Sequence, residues 1–597
     1  MKYSAGSLVA LAGAVAVALP AVGQSAKKSR TADLDQAEVG LLTISGTPAE
    51  RPGPFDWISG DTTITLRSLV GGLQEAAADD DLRAVVIKLD DAALGATHVE
   101  ELADAIGDAQ DAGKKVYVVA DGYNTTSLML GAVADESVIH HGSPVSLPGL
   151  YMEQYYLADM FNWIGAEASF EQVGKYKGAD ETYTRTQPSE AWDENITQLL
   201  DSMYGNIRSM LMDGKGMSSS ELDAAMDRSF YTTAETAVEL GLIDTAVDLG
   251  HLEEALEDDL GASISWNTDL VESSGGMAID PSNPFAMLSM LSRDPSNNPV
   301  RPTIAVVHID GVIMDGDSTE GGLFGSSSVG SRTIRGIMKD LEEDDDVKGV
   351  VIRINSPGGS ATASEVIYRA ARDVAEEKPV YVSVGNMAAS GGYYIAVSGD
   401  RIFVNPSSIV GSIGVVGGKV ATAGVFDKLH INVVGRGRGP HAELFGSSKP
   451  WNGDQRKAVR DMMTETYNLF TSRVEAGRDG IDLSKTAEGR LFTGDKGLEL
   501  NMADDIGTLT DTIEAMADEL GMDRYDVLDY PGPMSFDDLI ESFTGGMVTS
   551  PVNGMEQILQ RVVGPQGWEI VKQRIDAAVM LNGQPVMLID PAIIVVK

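Results

Sequence analysis

Apolar residues recur along this chain in two alternating kinds of run. The first kind is short, β-branched and of strand length: Asp81-Leu-Arg-Ala-Val-Val-Ile-Lys-Leu89, Val116-Tyr-Val-Val119, Gly349–Ile354 and Val380–Val384. The second kind has helical length and spacing, as in Val99–Ala112 and Ala363–Glu377, and Ala388–Val397 is a small-residue run of helical character. Strand-like and helix-like runs taking turns predict an α/β fold whose sheets are built from βαβ crossovers.

The pattern occurs twice. At an offset of about 264 residues, Asp81–Leu89 mirrors Asp346-Val-Lys-Gly-Val-Val-Ile-Arg-Ile354, and Val116-Tyr-Val-Val119 mirrors Val380-Tyr-Val-Ser383. Further on, Arg228-Ser-Phe-Tyr-Thr mirrors Arg490-Leu-Phe-Thr-Gly, and Gly241-Leu-Ile-Asp244 mirrors Met502-Ala-Asp-Asp-Ile506. The expected organisation is a first repeat over 40–250, a linker over 251–302, a second repeat over 303–513 and an extension over 514–597. Ser273–Thr303 is rich in Ser, Pro, Gly and Asn, as a linker should be. Inside it, Pro284–Ser292 is a short apolar segment suited either to touching lipid or substrate or to packing on a neighbour. The extension contains an apolar run, Val586–Val596, that reads as a strand docking elsewhere on the protein.

Candidate chemistry sits in the second repeat. Ser390 falls where the strand-like run hands over to Ala388–Val397, so its hydroxyl can stand clear of the backbone, in the manner of a nucleophile elbow without the G-x-S-x-G residues. Ser356-Pro-Gly-Gly359 follows the other strand, and its glycines admit close approach of a ligand to the backbone. Together the N–H groups of Gly359 and Gly391 are candidates for an oxyanion hole. Taken singly, each turn is also what a structural glycine-rich corner with a buried serine looks like; the ordered pair is the specific signal. The first repeat lacks it. Asp90-Asp-Ala-Ala-Leu stands where the second has Ser356-Pro-Gly-Gly, and Thr126, Ser127 and Pro148 stand opposite Ser390, Gly391 and Ser412.

The run from Ile354 to Gly417 resembles the bacterial signal-peptide peptidases (the protease IV or signal peptide peptidase A family), which share the ClpP/crotonase fold. The long form of that family carries two repeats in one chain, and the resemblance extends from about residue 40 to about residue 513. It implies two tandem ClpP/crotonase-like repeats, the first of them degenerate.

A serine nucleophile needs a base. The seven histidines are His98, His140, His141, His251, His308, His430 and His441, and none lies between Gly391 and Leu429, where the ClpP branch carries its own. Gly174-Lys-Tyr-Lys177-Gly-Ala-Asp-Glu181 resembles the family's G-x-Y-K-x-A-x-E segment, which implies that Lys177 is the general base. Lys175, two residues earlier, stays open as an alternative, and Lys419 and Lys449 are weaker rivals. The corresponding place in the second repeat, Val434-Gly-Arg-Gly-Arg438-Gly, offers arginine, which stays protonated. Each repeat would then supply what the other lacks, with the site at their junction. Ser412 matches a family serine that orients the lysine.

Composition narrows the picture. With 597 residues the chain needs more than one core. The formal net charge of −44 argues against nucleic acid or an anionic surface as an electrostatic partner. The absence of cysteine excludes disulfides, thiol catalysis and zinc–thiolate sites. Residues 1–26 read as an export signal: Lys2, an Ala/Val/Leu/Gly stretch over Ser7–Pro20 and small residues at Ala21-Val-Gly23. An uncleaved anchor is the competing reading, although the apolar stretch is short for a span of ~20 residues and Lys27, Lys28 and Arg30 follow it.

The resemblance implies a Ser-Lys serine endopeptidase that needs no cofactor. It also implies remnant signal peptides or other small apolar peptides as substrates, a periplasmic or other cell-envelope location with membrane association through the N-terminal segment, and a homotetramer. Two rivals stand beside it: an acyl-CoA enzyme of the crotonase branch, in which Ser390 would have no purpose, and a non-catalytic peptide-binding scaffold of the same fold.

Overall fold

The computed structural model describes residues 36–53, 56, 63–271, 301–319 and 327–532, and the strand Met587–Ile589. The expectations for residues 1–26 and 284–292, and for most of 514–597, fall outside these residues.

Each repeat is built on its own sheet; six parallel strands correspond between the two, and the second sheet adds Ile409–Gly411 and, antiparallel to it, Leu491–Thr493. In the first the order is Thr245–Val247, Glu136–His140, Lys115–Ala120, Leu82–Ala92, Gln36–Gly46, Ser263–Asn267. In the second, Arg401–Val404, Val380–Ala389, Val347–Ser356, Thr303–Asp310 and Asp526–Tyr530 hold the corresponding places, with Asp505–Ile506 beyond Arg401–Val404. The sheets run past the boundaries read from sequence, because Ser263–Asn267 and Asp526–Tyr530 close their edges. Buried on both faces, the central strands read as nearly continuous apolar runs, as parallel sheets do. Helices cover them: Ala96–Asp111 buries Val99, Leu102, Ala105 and Ile106 in the first core, and Ala361–Ala375 buries Ala363, Ile367, Ala371 and Val374 in the second. At ~1.5–3 kcal/mol per large side chain removed from water, each core suffices to hold a domain.

Two further contacts tie the repeats together. The helix Glu190–Lys215 of the first repeat starts on its cap Ser189, which accepts from Trp192 N. It then lays Trp192, Ile196, Leu199 and Met203 on Met387, Ala389, Ile409 and Leu491 of the second. On the same face Asn195 donates to Leu491 O at 3.0 Å and accepts from Leu491 N at 2.9 Å, satisfying a strand edge that would otherwise be buried unpaired. The second contact is a mixed sheet in which Glu167–Val173 of the first repeat runs antiparallel to Val415–Ala421 of the second, Val173 opposite Val415 and Glu167 opposite Ala421. The same sheet continues through Met587–Ile589, Gly358–Ser360, Val312–Met314 and Ser328–Gly330.

Candidate active site

The strand that contains Val380–Val384 runs on to Ala389, and the helix begins at Gly391, so Ser390 occupies the joint alone. Its backbone is in an unusual region, φ 57° and ψ −113°, a strained conformation for a residue with a Cβ. Two hydrogen bonds hold it there: Ser390 N donates to Gly411 O at 2.7 Å, and Tyr394 N donates to Ser390 O at 2.9 Å. Ser412 is forced to φ 53° next door, with its N–H donated to Arg490 O at 2.6 Å.

Lys177 arrives from the first repeat. The antiparallel ladder ends at the Val173–Val415 pair, which leaves Lys177 four residues beyond one strand and Ser412 three residues before the other. Tyr176 N donates to Glu488 O at 2.9 Å, and the lysine backbone crosses directly over Gly489, where a Cβ would come within 2.6 Å of Lys177 N. The side chain then reaches Ser390: Nζ lies 2.7 Å from Ser390 Oγ, 2.7 Å from Ser412 Oγ and 3.1 Å from Ser412 O. All three residues are 0% exposed. The hydrogen bonds of the amine go there to two hydroxyls and a carbonyl.

Gly359 and Gly391 also meet. A Cβ on Gly391 would stand 3.1 Å from Gly359 N, and one on Gly359 would collide with the carbonyl oxygen of Ile313, so neither position has room for a side chain. The turn before them is braced by Ser356, which donates to Gly311 O at 2.7 Å and accepts from Gly358 N at 3.1 Å. The Gly358–Gly359 turn therefore packs directly against the helix start that follows Ser390.

The remaining candidates lie elsewhere. Lys175 is exposed, with its ammonium 4.5 Å from the centre of the Tyr176 ring. Lys419 is buried but donates to Gly446 O at 2.8 Å, and burial pushes its pKa down. Lys449, His430 and His441 are exposed. In the first repeat the matching elbow has become a helix cap: Asn124 Oδ1 accepts from Ser127 N at 3.0 Å and from Thr126 Oγ1 at 3.0 Å.

One feature of the junction carries no sequence signal. Arg353, on the strand that leads into the Ser356–Gly359 turn, is 1% exposed and is held by carboxylates of the other repeat. It donates to Glu50 Oε2 at 2.9 Å, to Glu101 Oε1 at 2.6 Å and to Ser383 Oγ at 3.0 Å. Burial opposes ionisation of Glu50, but the guanidinium outweighs it and the pKa ends below the usual value; for Glu101 burial prevails and the pKa is raised. Strand residues of the pattern V-V-I-R-I are read as apolar core, and nothing in the local sequence marks the arginine as an inter-repeat clamp.

The comparisons with known proteins agree with this architecture. The sequence model of peptidase family S49 matches residues 108–263 and 372–523, just over half of the chain and one segment in each repeat. That of Clp protease matches residues 325–410. Protease 4 of Haemophilus influenzae is 27% identical over 83% of this chain and 80% of its own length. Protease 4 of Salmonella typhi is 26% identical over 81% and 76%. The chloroplastic serine protease SPPA of Arabidopsis thaliana is 27% identical over 75% and 65%. Among solved structures, a 1510-N membrane-bound stomatin-specific protease with a substrate peptide covers 41% of this chain and 98% of its own, at 16% identity and a TM-score of 0.25. With two repeats of one α/β peptidase fold and a family match in both, the chain belongs to peptidase family S49 and is a serine peptidase.

Proposed function

We propose that Ser390 is the nucleophile and Lys177 its general base, and that the enzyme cleaves remnant signal peptides or other small apolar peptides in a bacterial cell envelope. The observation that carries this reading is the 2.7 Å approach of Lys177 Nζ to Ser390 Oγ in a fully buried setting, across the boundary between repeats. In this mechanism neutral Lys177 takes the hydroxyl proton as Oγ bonds to the peptide carbonyl carbon. The N–H groups of Gly359 and Gly391 hold the oxyanion, each such donor being worth ~3–4 kcal/mol in a comparable protease. The lysine ammonium protonates the departing amine as the C–N bond breaks, and water then hydrolyses the acyl-enzyme by the reverse proton path. Ser412 keeps Nζ directed at Ser390.

The envelope location rests on the relatives and on residues 1–26. Among the described residues no helix is long and apolar enough to cross a membrane. The repeat symmetry supports a ring of copies. Glu167–Val173 of the first repeat pairs with Val415–Ala421 of the second, whereas the counterparts of those two segments belong to no described strand and expose apolar side chains. Tyr151 and Tyr155 (74% and 48% exposed) lie in one, and Val433 and Val434 (52% and 76%) in the other. Pairing them between copies repeats the internal junction head to tail, in keeping with a homotetramer. A charge at Val434→Lys should then lower the mass seen by light scattering; an unchanged mass speaks against this junction.

The test of the chemistry is labelling with a serine-directed fluorophosphonate and cleavage of a leucine-rich fluorogenic peptide between pH 6 and 10. Ser390→Ala and Lys177→Ala should lose both, by a factor of ~10³ or more for cleavage, while Lys175→Ala keeps full activity. The wild-type rate should rise with pH as a lysine loses its proton. A Lys177→Ala enzyme that still cleaves overturns the base; a wild type that neither cleaves nor labels leaves a peptide-binding scaffold.

A further inference from the structure

The residue before Lys177 is gripped from the other repeat. Arg490 places its guanidinium carbon 4.0 Å from the centre of the Tyr176 ring, where a positive fork rests on the electron-rich face. Arg490 Nη1 donates to Ala487 O at 2.9 Å, and among the described residues no carboxylate forms an ion pair with the guanidinium. A half-buried arginine without an acidic partner is unusual in a chain whose formal net charge is −44. The buried tyrosine ring is its partner instead.

The backbone of the same arginine acts at the far end of the lysine side chain. Arg490 O accepts from Ser412 N at 2.6 Å, and Ser412 gives Nζ its contacts at 2.7 Å through Oγ and 3.1 Å through O. The next residue is fixed on both sides. Leu491 pairs with Gly411, immediately before Ser412, and exchanges two hydrogen bonds with Asn195 of the first repeat. Arg490 thus stands on a strand held from two directions, with its side chain on the residue that precedes Lys177 and its carbonyl on the residue that meets the amine. The first repeat shows the same arginine without this setting. Arg228 stands at the matching position, but its side chain is 59% exposed and lies 3.9 Å from Glu239 Oε2. The counterpart of the lysine segment, Val434–Gly439, has no aromatic residue to receive a guanidinium.

We infer that Arg490 is a positioning residue of the reaction, acting through Tyr176 and Ser412 to keep the Lys177 amine on Ser390. The inference rests on the Ser390–Lys177 reading above and adds to it the group that holds the base in place. A lysine amine rides on a flexible four-carbon stem, so its aim depends on what fixes the backbone behind it and the hydroxyl in front of it. Loosening either lets the amine drift from the serine hydroxyl. Such a drift slows the proton transfer in the chemical step and leaves the binding of peptide as it was.

The experiment measures kcat and KM for the fluorogenic peptide, and the rate and extent of fluorophosphonate labelling, in the full chain and its variants. Arg490→Leu and Tyr176→Leu should each lower kcat about tenfold with KM unchanged. The double variant should lose no more than either alone, because both remove the same contact. Arg490→Lys, which keeps a cation for the ring, and Tyr176→Phe, which keeps the ring, should each recover at least about a third of the wild-type kcat. Labelling of Ser390 should slow by the same factor as kcat and still reach one label per chain. Wild-type kcat in Arg490→Leu, or losses that multiply to about a hundredfold in the double variant, overturns the inference. So does a reduced extent of labelling at the wild-type rate, which reports lost folded enzyme instead of a displaced base. If Lys177→Ala is inactive while Arg490→Leu is fully active, this inference alone fails. If Lys177→Ala keeps full activity, the dyad reading fails and takes this inference with it.

Discussion

Replacing Arg353 with methionine tests whether the repeats are clamped by charge. The substitution keeps most of the side-chain volume but leaves Glu50 and Glu101, 7% and 3% exposed at their side chains, facing each other without the guanidinium. Breaking a buried ion pair from one side costs ~3–5 kcal/mol, because the remaining charge has neither water nor partner. At a urea m-value of ~2 kcal/mol per molar that is a loss of about 2 M in the midpoint at which activity disappears. The deficit should depend on pH. Burial already raises the pKa of Glu101 with the arginine present, and without it both carboxyls should titrate above their unfolded value of ~4.3. A raised folded-state pKa means stability that is present below the unfolded pKa and lost as pH rises through the folded one. The variant should therefore be nearly normal at pH 4.5 and most impaired at pH 8. Adding Glu50→Gln and Glu101→Gln should restore much of the loss, since it is the unpaired charge that costs. A deficit below ~1 kcal/mol, or one equal at both pH values, would refute the argument.

Two smaller changes probe the site itself. Ser412→Ala removes the 2.7 Å contact with Lys177 Nζ while leaving its carbonyl contact; at ~1–1.5 kcal/mol for one hydrogen bond, kcat should fall about tenfold with KM unchanged. Gly359→Ala drives a methyl group into the Ile313 carbonyl and moves the amide it carries; kcat should drop by at least ~10² with the far-UV circular dichroism intact, and an active variant would remove Gly359 from the oxyanion hole.

Much of the fold was legible because its signals are local. Apolar β-branched runs bounded by helical spacing gave the strands to within a few residues, and the same pattern repeated about 264 residues later gave the two-repeat plan. Ser390 and the Gly359 turn were legible for the same reason, since a strand-to-helix joint and a glycine pair are properties of a few consecutive residues. Lys177 was reached only through resemblance: its segment has no periodicity that separates it from Lys175, and the difference between them is that one side chain is fully buried and the other is exposed.

Local pattern, however, says nothing about which strand lies beside which when the partners are hundreds of residues apart. That Glu167–Val173 should pair with Val415–Ala421, that Arg353 should find Glu50 and Glu101, and that Met587–Ile589 should pair with Gly358–Ser360 are outcomes of long-range burial. A strand edge accepts any extended segment that can reach it, so the choice is made by which arrangement leaves the fewest buried polar groups unpaired. Ser390 and Lys177, the proposed dyad, are written in the chain as single letters, but their meeting at 2.7 Å is a property of the junction between two repeats.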